Sequence, residues 1–256
     1  MLVTRVLTAA IGIPIILGLA YAGGYWWDGF IVVLAVIGNY ELMRMADTKS
    51  GLIIFLSGLC CIALTLSPFI KVLALPHWWP LAGVIIIISV LLKVNYRIDA
   101  IQLGWACFSI LYIGGLFSYA ININHQAQDS FIALVTVFLL TWASDTGAFF
   151  VGKFMGKRHL SPTLSPNKTW EGCIGGVLTT MLIAWALLSG QLGWYWALAF
   201  GLTASILAQM GDLFESLLKR YFGIKDSGKL LPGHGGVLDR FDSFLLVAPL
   251  VFYFLV

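Results

Sequence analysis

Apolar residues occupy this chain in long blocks, interrupted at intervals by short polar clusters. A helix of about 20 apolar residues crosses a bilayer core. Blocks of roughly that kind, bounded by charge, Pro or Gly, fall near 6–23, 27–46, 51–70, 78–93, 101–121, 130–150, 172–189, 193–212 and 238–256. The fourth and last are the weakest, being short or charged at one end. In lipid the backbone must satisfy its own hydrogen bonds, so such blocks are read as helices. The pattern predicts an all-α, polytopic integral membrane bundle of about nine transmembrane helices. Arg5 and the apolar run to Ala22 have the outline of a signal peptide. Spanning blocks follow all along the chain, so a retained first helix is expected.

Composition supports this reading. The 256 residues are 60% hydrophobic and 11% charged, where soluble domains carry about 25% charged residues. That is too little charge to cover a soluble globule. The net charge of +3 is too small to argue for nucleic acid. Cys60, Cys61, Cys107 and Cys173 lie in or beside apolar blocks without metal-ligand spacing, and read as small hydrophobes.

Charge placement orients the bundle. With nine alternating helices and a cytoplasmic N-terminus, fourteen of the fifteen basic residues fall inside, and only Lys71 falls outside. This is the positive-inside bias. It predicts a cell (inner) membrane protein with its C-terminus outside and long polar loops, 151–171 and 213–237, in the cytoplasm. Trp26, Trp27, Trp78, Trp79, Trp194 and Trp196 gather at the opposite ends, as an interfacial belt would. Residues 1–125 read as scaffold helices. Residues 126–256 read as a catalytic region, because residues 140–243 hold seven acidic and nine basic side chains.

Four polar constellations stand out. In 141–158, "TWASDTGAFFVGKFMGKR", Asp145 lies near the cytoplasmic end of an apolar helix, where a carboxylate needs a cavity, a metal or a partner. An ion pair with Lys153 or Lys168 is the bland alternative. In 164–172, "LSPNKTWEG", Ser165, Asn167 and Thr169 offer hydroxyl and amide groups, and Lys168 offers a point charge suited to phosphate. Pro166 favours a turn here, with Lys168 and Glu171 at helical spacing. In 209–220, "QMGDLFESLLKR", Asp212 and Ser216 share a helical face, and Glu215 and Lys219 share the next. A salt bridge accounts for Glu215 and Lys219 but not for Asp212. In 225–243, "KDSGKLLPGHGGVLDRFDS", glycines surround His234 and could present N–H groups to an anion, and Asp239 and Asp242 follow on one turn. Carboxylates for a hard cation, beside lysine, arginine and backbone N–H groups, make a metal–polyphosphate combination. Such a site at membrane depth suits phosphoryl or nucleotidyl chemistry on a lipid.

From Ser216 to Ser243 the chain resembles the signature of the phosphatidate cytidylyltransferases: S-x-aliphatic-K-R, four residues, K-D-x-small, two residues, aliphatic-P-x-H-G-G-aliphatic-x-D-R-aliphatic-D. Every specified position is matched. "SDTGAF" and "SPNKTWEG" are similar to family motifs too, although the family more often has a basic residue where this chain has Asn167. The first half matches only in hydropathy and in Glu41. The resemblance implies that CTP and phosphatidate give CDP-diacylglycerol and pyrophosphate, with Mg²⁺ as the metal. It implies Asp212 and Asp239 as leading metal ligands, with Asp145 and Asp242 as further ligands or orienters. Lys219, Arg220, Lys225, Arg240 and Lys168 become phosphate partners. Ser216 would reach metal or phosphate, His234 would donate to phosphate, and Gly235 and Gly236 would supply N–H groups. This many carboxylates leaves room for a second, monovalent cation, and the resemblance points to a homodimer. The rival readings are a CTP-dependent polyprenol or other lipid kinase and, in a different class, an ion-coupled transporter.

Overall fold

The computed structural model describes residues 2–69, 100–228, 230 and 235–256. Its helices are α1 (Leu2–Ala22), α2 (Gly24–Met45), α3 (Gly51–Thr65), α4 (Ala100–Gln126), α5 (Ser130–Met155), α6 (Trp170–Leu192), α7 (Trp194–Tyr221) and α8 (Leu238–Leu255). Eight of the nine apolar blocks therefore coincide with helices, and the block at 78–93 lies outside the described residues. Among the described helices, α4, α5, α6 and α7 combine the length and hydropathy needed to cross a membrane. The chain is an all-α membrane protein, and its described residues add one short hairpin, β1 (His159–Ser161) with β2 (Ser165–Thr169).

Helices α5 and α7 run further than their hydropathy blocks do. α5 continues to Met155, and α7 continues to Tyr221 through the polar stretch after Asp212. The cause in α7 is local: Glu215 and Lys219, four apart, pair at 2.6 Å and keep the last turns helical. The turn expected at Pro166 is instead part of strand β2, and the helix that follows begins at Trp170. Ser165 pairs with Ser161 and Thr169 with His159 around a bulge, so Lys168 projects from β2. α6 begins after Thr169, whose hydroxyl accepts from the Gly172 N–H at 3.1 Å.

The chain falls into two compact units. The first comprises Met1–Ser130 with Asp226–Leu238, and the second comprises Phe131–Lys225 with Asp239–Val256. In the first unit, polar side chains tie apolar helices together. Asn39 accepts from Ser109 at 2.8 Å. Asp28 accepts from Asn124 at 2.9 Å and pairs with His125 at 2.8 Å. α4 passes through a π-helical turn, Ile110–Gly114, where Gly114 presses on α3: a Cβ there would lie 2.9 Å from the Cys61 carbonyl oxygen. Trp27, expected in the interfacial belt, is fully buried and donates its indole N–H to the Ala120 carbonyl at 3.1 Å. Its neighbour Trp26 is exposed, as are Trp194 and Trp196.

In the second unit small residues let α5, α6 and α7 approach closely, as in membrane helix pairs generally. A Cβ at Gly176 of α6 would lie 2.8 Å from the Ser144 carbonyl of α5, and one at Gly201 of α7 would lie 2.7 Å from Met181 Cα of α6. Inside this packing Ser144 and Ser205 share a hydrogen bond at 3.0 Å, and Gln209 donates to Ser205 Oγ and the Cys173 carbonyl. α8 adds to α7 through Ser243, which donates to the Ala208 carbonyl at 2.9 Å.

Candidate active site

The second unit gathers most of the polar residues singled out in the sequence. A cleft of about 280 Å³ is lined by Asp145 of α5, Asn167 and Lys168 of β2, and Gln209 and Asp212 of α7. The hairpin carries Lys168 over the end of α7, where its ammonium lies 2.6 Å from Asp212 Oδ2. Two contacts hold the hairpin there. Arg220 Nε donates to the Leu164 carbonyl at 3.3 Å. Glu171 accepts from the Lys157 and Arg158 N–H groups at 3.1 and 3.2 Å. Lys168 thus pairs with Asp212 and not with Asp145, whose carboxylate still lies within electrostatic reach of Asp212, Lys168 and Arg240. Ser216 Oγ stands 3.5 Å from Asp212 Oδ1, on the same helical face.

A second cluster joins α7 to α8. Lys219 Nζ lies 2.6 Å from Glu215 Oε2 and 2.6 Å from Asp239 Oδ1. All three side chains are largely buried, so a single cation serves two carboxylates. Asp242, one turn beyond Asp239, is buried and feels the charges of Asp212, Asp145 and Lys219. Asp145, Asp212 and Asp242 therefore repel one another, and lysine and arginine hold them together.

Other singled-out residues are not among those lining the cleft. Lys225 is exposed at the end of the second unit, and Arg220 is committed to backbone carbonyls at Leu164 and Ile224. Ser165 opens β2 without lining the cleft. Gly235 and Gly236 belong to the first unit. There Gly236 packs against the carboxylate of Glu41, to which Ser227 Oγ also donates at 3.2 Å. His234 lies outside the described residues.

Two residues went unnoticed as site members. Glu215 reads in sequence as half of a salt bridge within an amphipathic helix end, yet it is 2% exposed and among the described residues its Oε1 has no hydrogen-bond partner. Gln209 lies three residues before Asp212 in an apolar run, and an amide at that depth was the available signal.

Carboxylate oxygens are the donors a hard divalent cation takes, and among the described residues the buried Glu215 Oε1 has no hydrogen-bond partner. The described residues contain no converged group of three His, Cys, Asp or Glu side chains that could hold a metal ion. Lysine ammonium groups stand against Asp212 and Asp239.

The chain is similar in sequence to known proteins along almost its whole length. The chain is 35% identical to the phosphatidate cytidylyltransferase of Bacillus subtilis (strain 168) over 261 residues, covering 98% of this chain and 96% of that protein. It is 36% identical to the enzyme of the same name from Staphylococcus aureus (strain COL), covering 96% of each. The protein of that name from Staphylococcus epidermidis (strain ATCC 12228 / FDA PCI 1200) is 35% identical over 258 residues. The cytidylyltransferase family profile matches residues 3–256, both units included. By full-length similarity, and not through its signature alone, the chain belongs to the cytidylyltransferase family.

Proposed function

We propose that this protein is a CTP-dependent nucleotidyltransferase that converts phosphatidate and CTP to CDP-diacylglycerol and pyrophosphate. The observation that carries the reading is the Asp145–Asp212–Lys168 cleft, joined in a full-length member of the family by the Glu215–Lys219–Asp239 cluster. A phosphatidate oxygen attacks the α-phosphorus of CTP in line. The new P–O bond forms as the bond to the bridging oxygen breaks, and pyrophosphate leaves with that electron pair. The attacking phosphate is already ionised, so no covalent enzyme intermediate is required. The protein has to bring two anions together and offset the charge that grows on the leaving group.

Lys168, at the mouth of the cleft, is the phosphate partner nearest the acids, and Arg240 adds positive charge by Asp145. Lys219 fixes Asp239 and Glu215 in place. Asp212 and Asp239 would hold Mg²⁺, with Asp145, Asp242 and Glu215 as further oxygen donors or orienters. When bound, the ion would supply positive charge to offset that on the departing pyrophosphate. The hairpin and cleft would face the cytoplasm, with the C-terminus outside, because the basic residues sort that way. In a background lacking the four native cysteines, Thr163→Cys should react with an impermeant thiol reagent only in inverted vesicles. Reaction in right-side-out vesicles would reverse the orientation.

The chemistry is tested with purified protein in phosphatidate mixed micelles, Mg²⁺, and CTP labelled at the α- or γ-phosphate. The α label should enter lipid and the γ label should leave as pyrophosphate. Entry of the γ label into lipid would make the protein a kinase. Movement of neither label would refute the assignment.

A further inference from the structure

Glu41 of α2 is a carboxylate buried in the first unit, 5% exposed, and no lysine or arginine pairs with it among the described residues. A buried charge of this kind is costly unless hydrogen bonds compensate it. Here they do. Glu41 Oε1 accepts from the Val237 N–H at 2.9 Å, and Oε2 accepts from the Leu238 N–H at 3.0 Å and from Ser227 Oγ at 3.2 Å. Val237 and Leu238 stand where α8 begins, so these N–H groups are among the first-turn donors that have no partner inside their own helix. A carboxylate there also meets the positive end of the helix dipole.

The surrounding glycines fit the same account. A Cβ at Gly228 would lie 2.5 Å from Glu41 Oε1, and one at Gly236 would lie 2.5 Å from Oε2. One turn earlier on α2, Gly38 leaves room for Leu238, whose Cδ2 would be 3.1 Å from a Cβ at that position. Gly228 and Gly236 thus leave a notch, and the anion in the notch is the protein's own Glu41. The α8 N–H groups at Val237 and Leu238 are engaged by that carboxylate.

We infer that Glu41 is a positioning residue for the reaction: it seats Ser227, Val237 and Leu238 against α2 and sets where α8, which carries Asp239, starts. The role in turnover rests on the nucleotidyltransferase reading, whereas the clamp itself does not. Misplacing catalytic groups by about 1 Å can cost about 10²-fold in rate. Glu41→Ala should therefore lower kcat/KM for CTP by about 10²-fold per folded molecule, and Glu41→Gln, which keeps one acceptor oxygen, should lower it less. Hydrogen exchange at the Val237 and Leu238 amides should quicken in Glu41→Ala. Gly228→Ala should impair the otherwise unaltered protein but cause no further loss in the Glu41→Ala background, where its Cβ has room. If Glu41→Ala does not accumulate as folded protein, Glu41→Gln carries the same comparisons.

Unchanged amide exchange would overturn the clamp. Activity that falls only in step with folded fraction, with KM and kcat intact, would overturn the positioning role. A wild-type protein that forms no CDP-diacylglycerol would remove the assigned reaction, and with it the role in turnover; amide exchange would still decide the clamp.

Discussion

The Lys168 ammonium, carried by β2, lies 2.6 Å from the Asp212 carboxylate on α7. The hairpin is thereby fastened to the helix end that the sequence marks as chemical. Both side chains are partly exposed, so the pair adds little to stability. Its value is in placing a cation beside the acids of the cleft. Lys168→Met should leave the protein folded and cost about 10²–10³-fold in turnover, the range seen when one charge-stabilising group is lost. Lys168→Arg should recover only part of this, because a planar guanidinium is a poor substitute for a point charge. Wild-type turnover by Lys168→Met in the label-transfer assay would remove Lys168 from the site.

Lys219 differs because it is buried between two acids. Its removal takes from Glu215 and Asp239 the ammonium they share, and breaking a buried pair in this way costs about 3–5 kcal/mol. Lys219→Met should sharply lower thermal stability in detergent as well as abolish turnover. Glu215→Gln combined with Lys219→Met removes one of the stranded charges, and should recover stability without recovering activity. A Lys219→Met protein as stable as wild type would contradict the shared-cation arrangement.

Much of this was legible in the sequence, and the failures have physical causes. Asp145, Asp212 and Lys168 stand out in the sequence because charge at membrane depth is costly and therefore informative, and the structure brings them to one cleft. Helix positions followed from hydropathy, but helix ends did not. At α7 the Glu215–Lys219 pair extends the helix past the last apolar residue, and hydropathy does not register such a pair. β2 was missed because Ser-Pro-Asn also spells a turn, and its pairing with His159–Ser161 depends on contacts outside the motif. Trp27 was assigned to the belt by its neighbour, although one residue along a helix turns a side chain through about 100°. The glycines around His234 read as an anion cradle. The partner of Gly236 is Glu41, almost two hundred residues away in sequence, and no local pattern could disclose it.

Metal dependence can be separated from folding. If Asp212 and Asp239 hold Mg²⁺, chelation with EDTA should abolish label transfer and added Mg²⁺ should restore it. Asp212→Asn and Asp239→Asn should both be folded and inactive at Mg²⁺ concentrations that saturate the wild type. Asp145→Asn, if Asp145 is a further ligand or an orienter, should instead need more Mg²⁺ for half-maximal activity. Full turnover in EDTA, or near-normal activity of either Asn variant at saturating Mg²⁺, would refute these assignments.

Two glycines on α7 provide a final contrast, because the same substitution meets different neighbours. At Gly201 a Cβ would lie 2.7 Å from Met181 Cα and 2.8 Å from Ala184 Cβ, within the packing against α6. At Gly211 it would lie 2.5 Å from the Asp242 carbonyl oxygen and 3.1 Å from Ser243 Cα, so the helix that must give way carries Asp239 and Asp242. Both are backbone contacts that no rotamer can relieve, and overpacking of this kind costs about 1–3 kcal/mol. Gly201→Ala should lower thermal stability by that order while folded molecules keep their turnover. Gly211→Ala should lower stability similarly and also reduce turnover per folded molecule, since pushing α8 away separates Asp242 and Asp239 from Asp212 and Lys219. Unfolding midpoints with folded-fraction-corrected rates distinguish the two, and equal per-molecule activity in both variants would show that the α7–α8 spacing does not govern the chemistry.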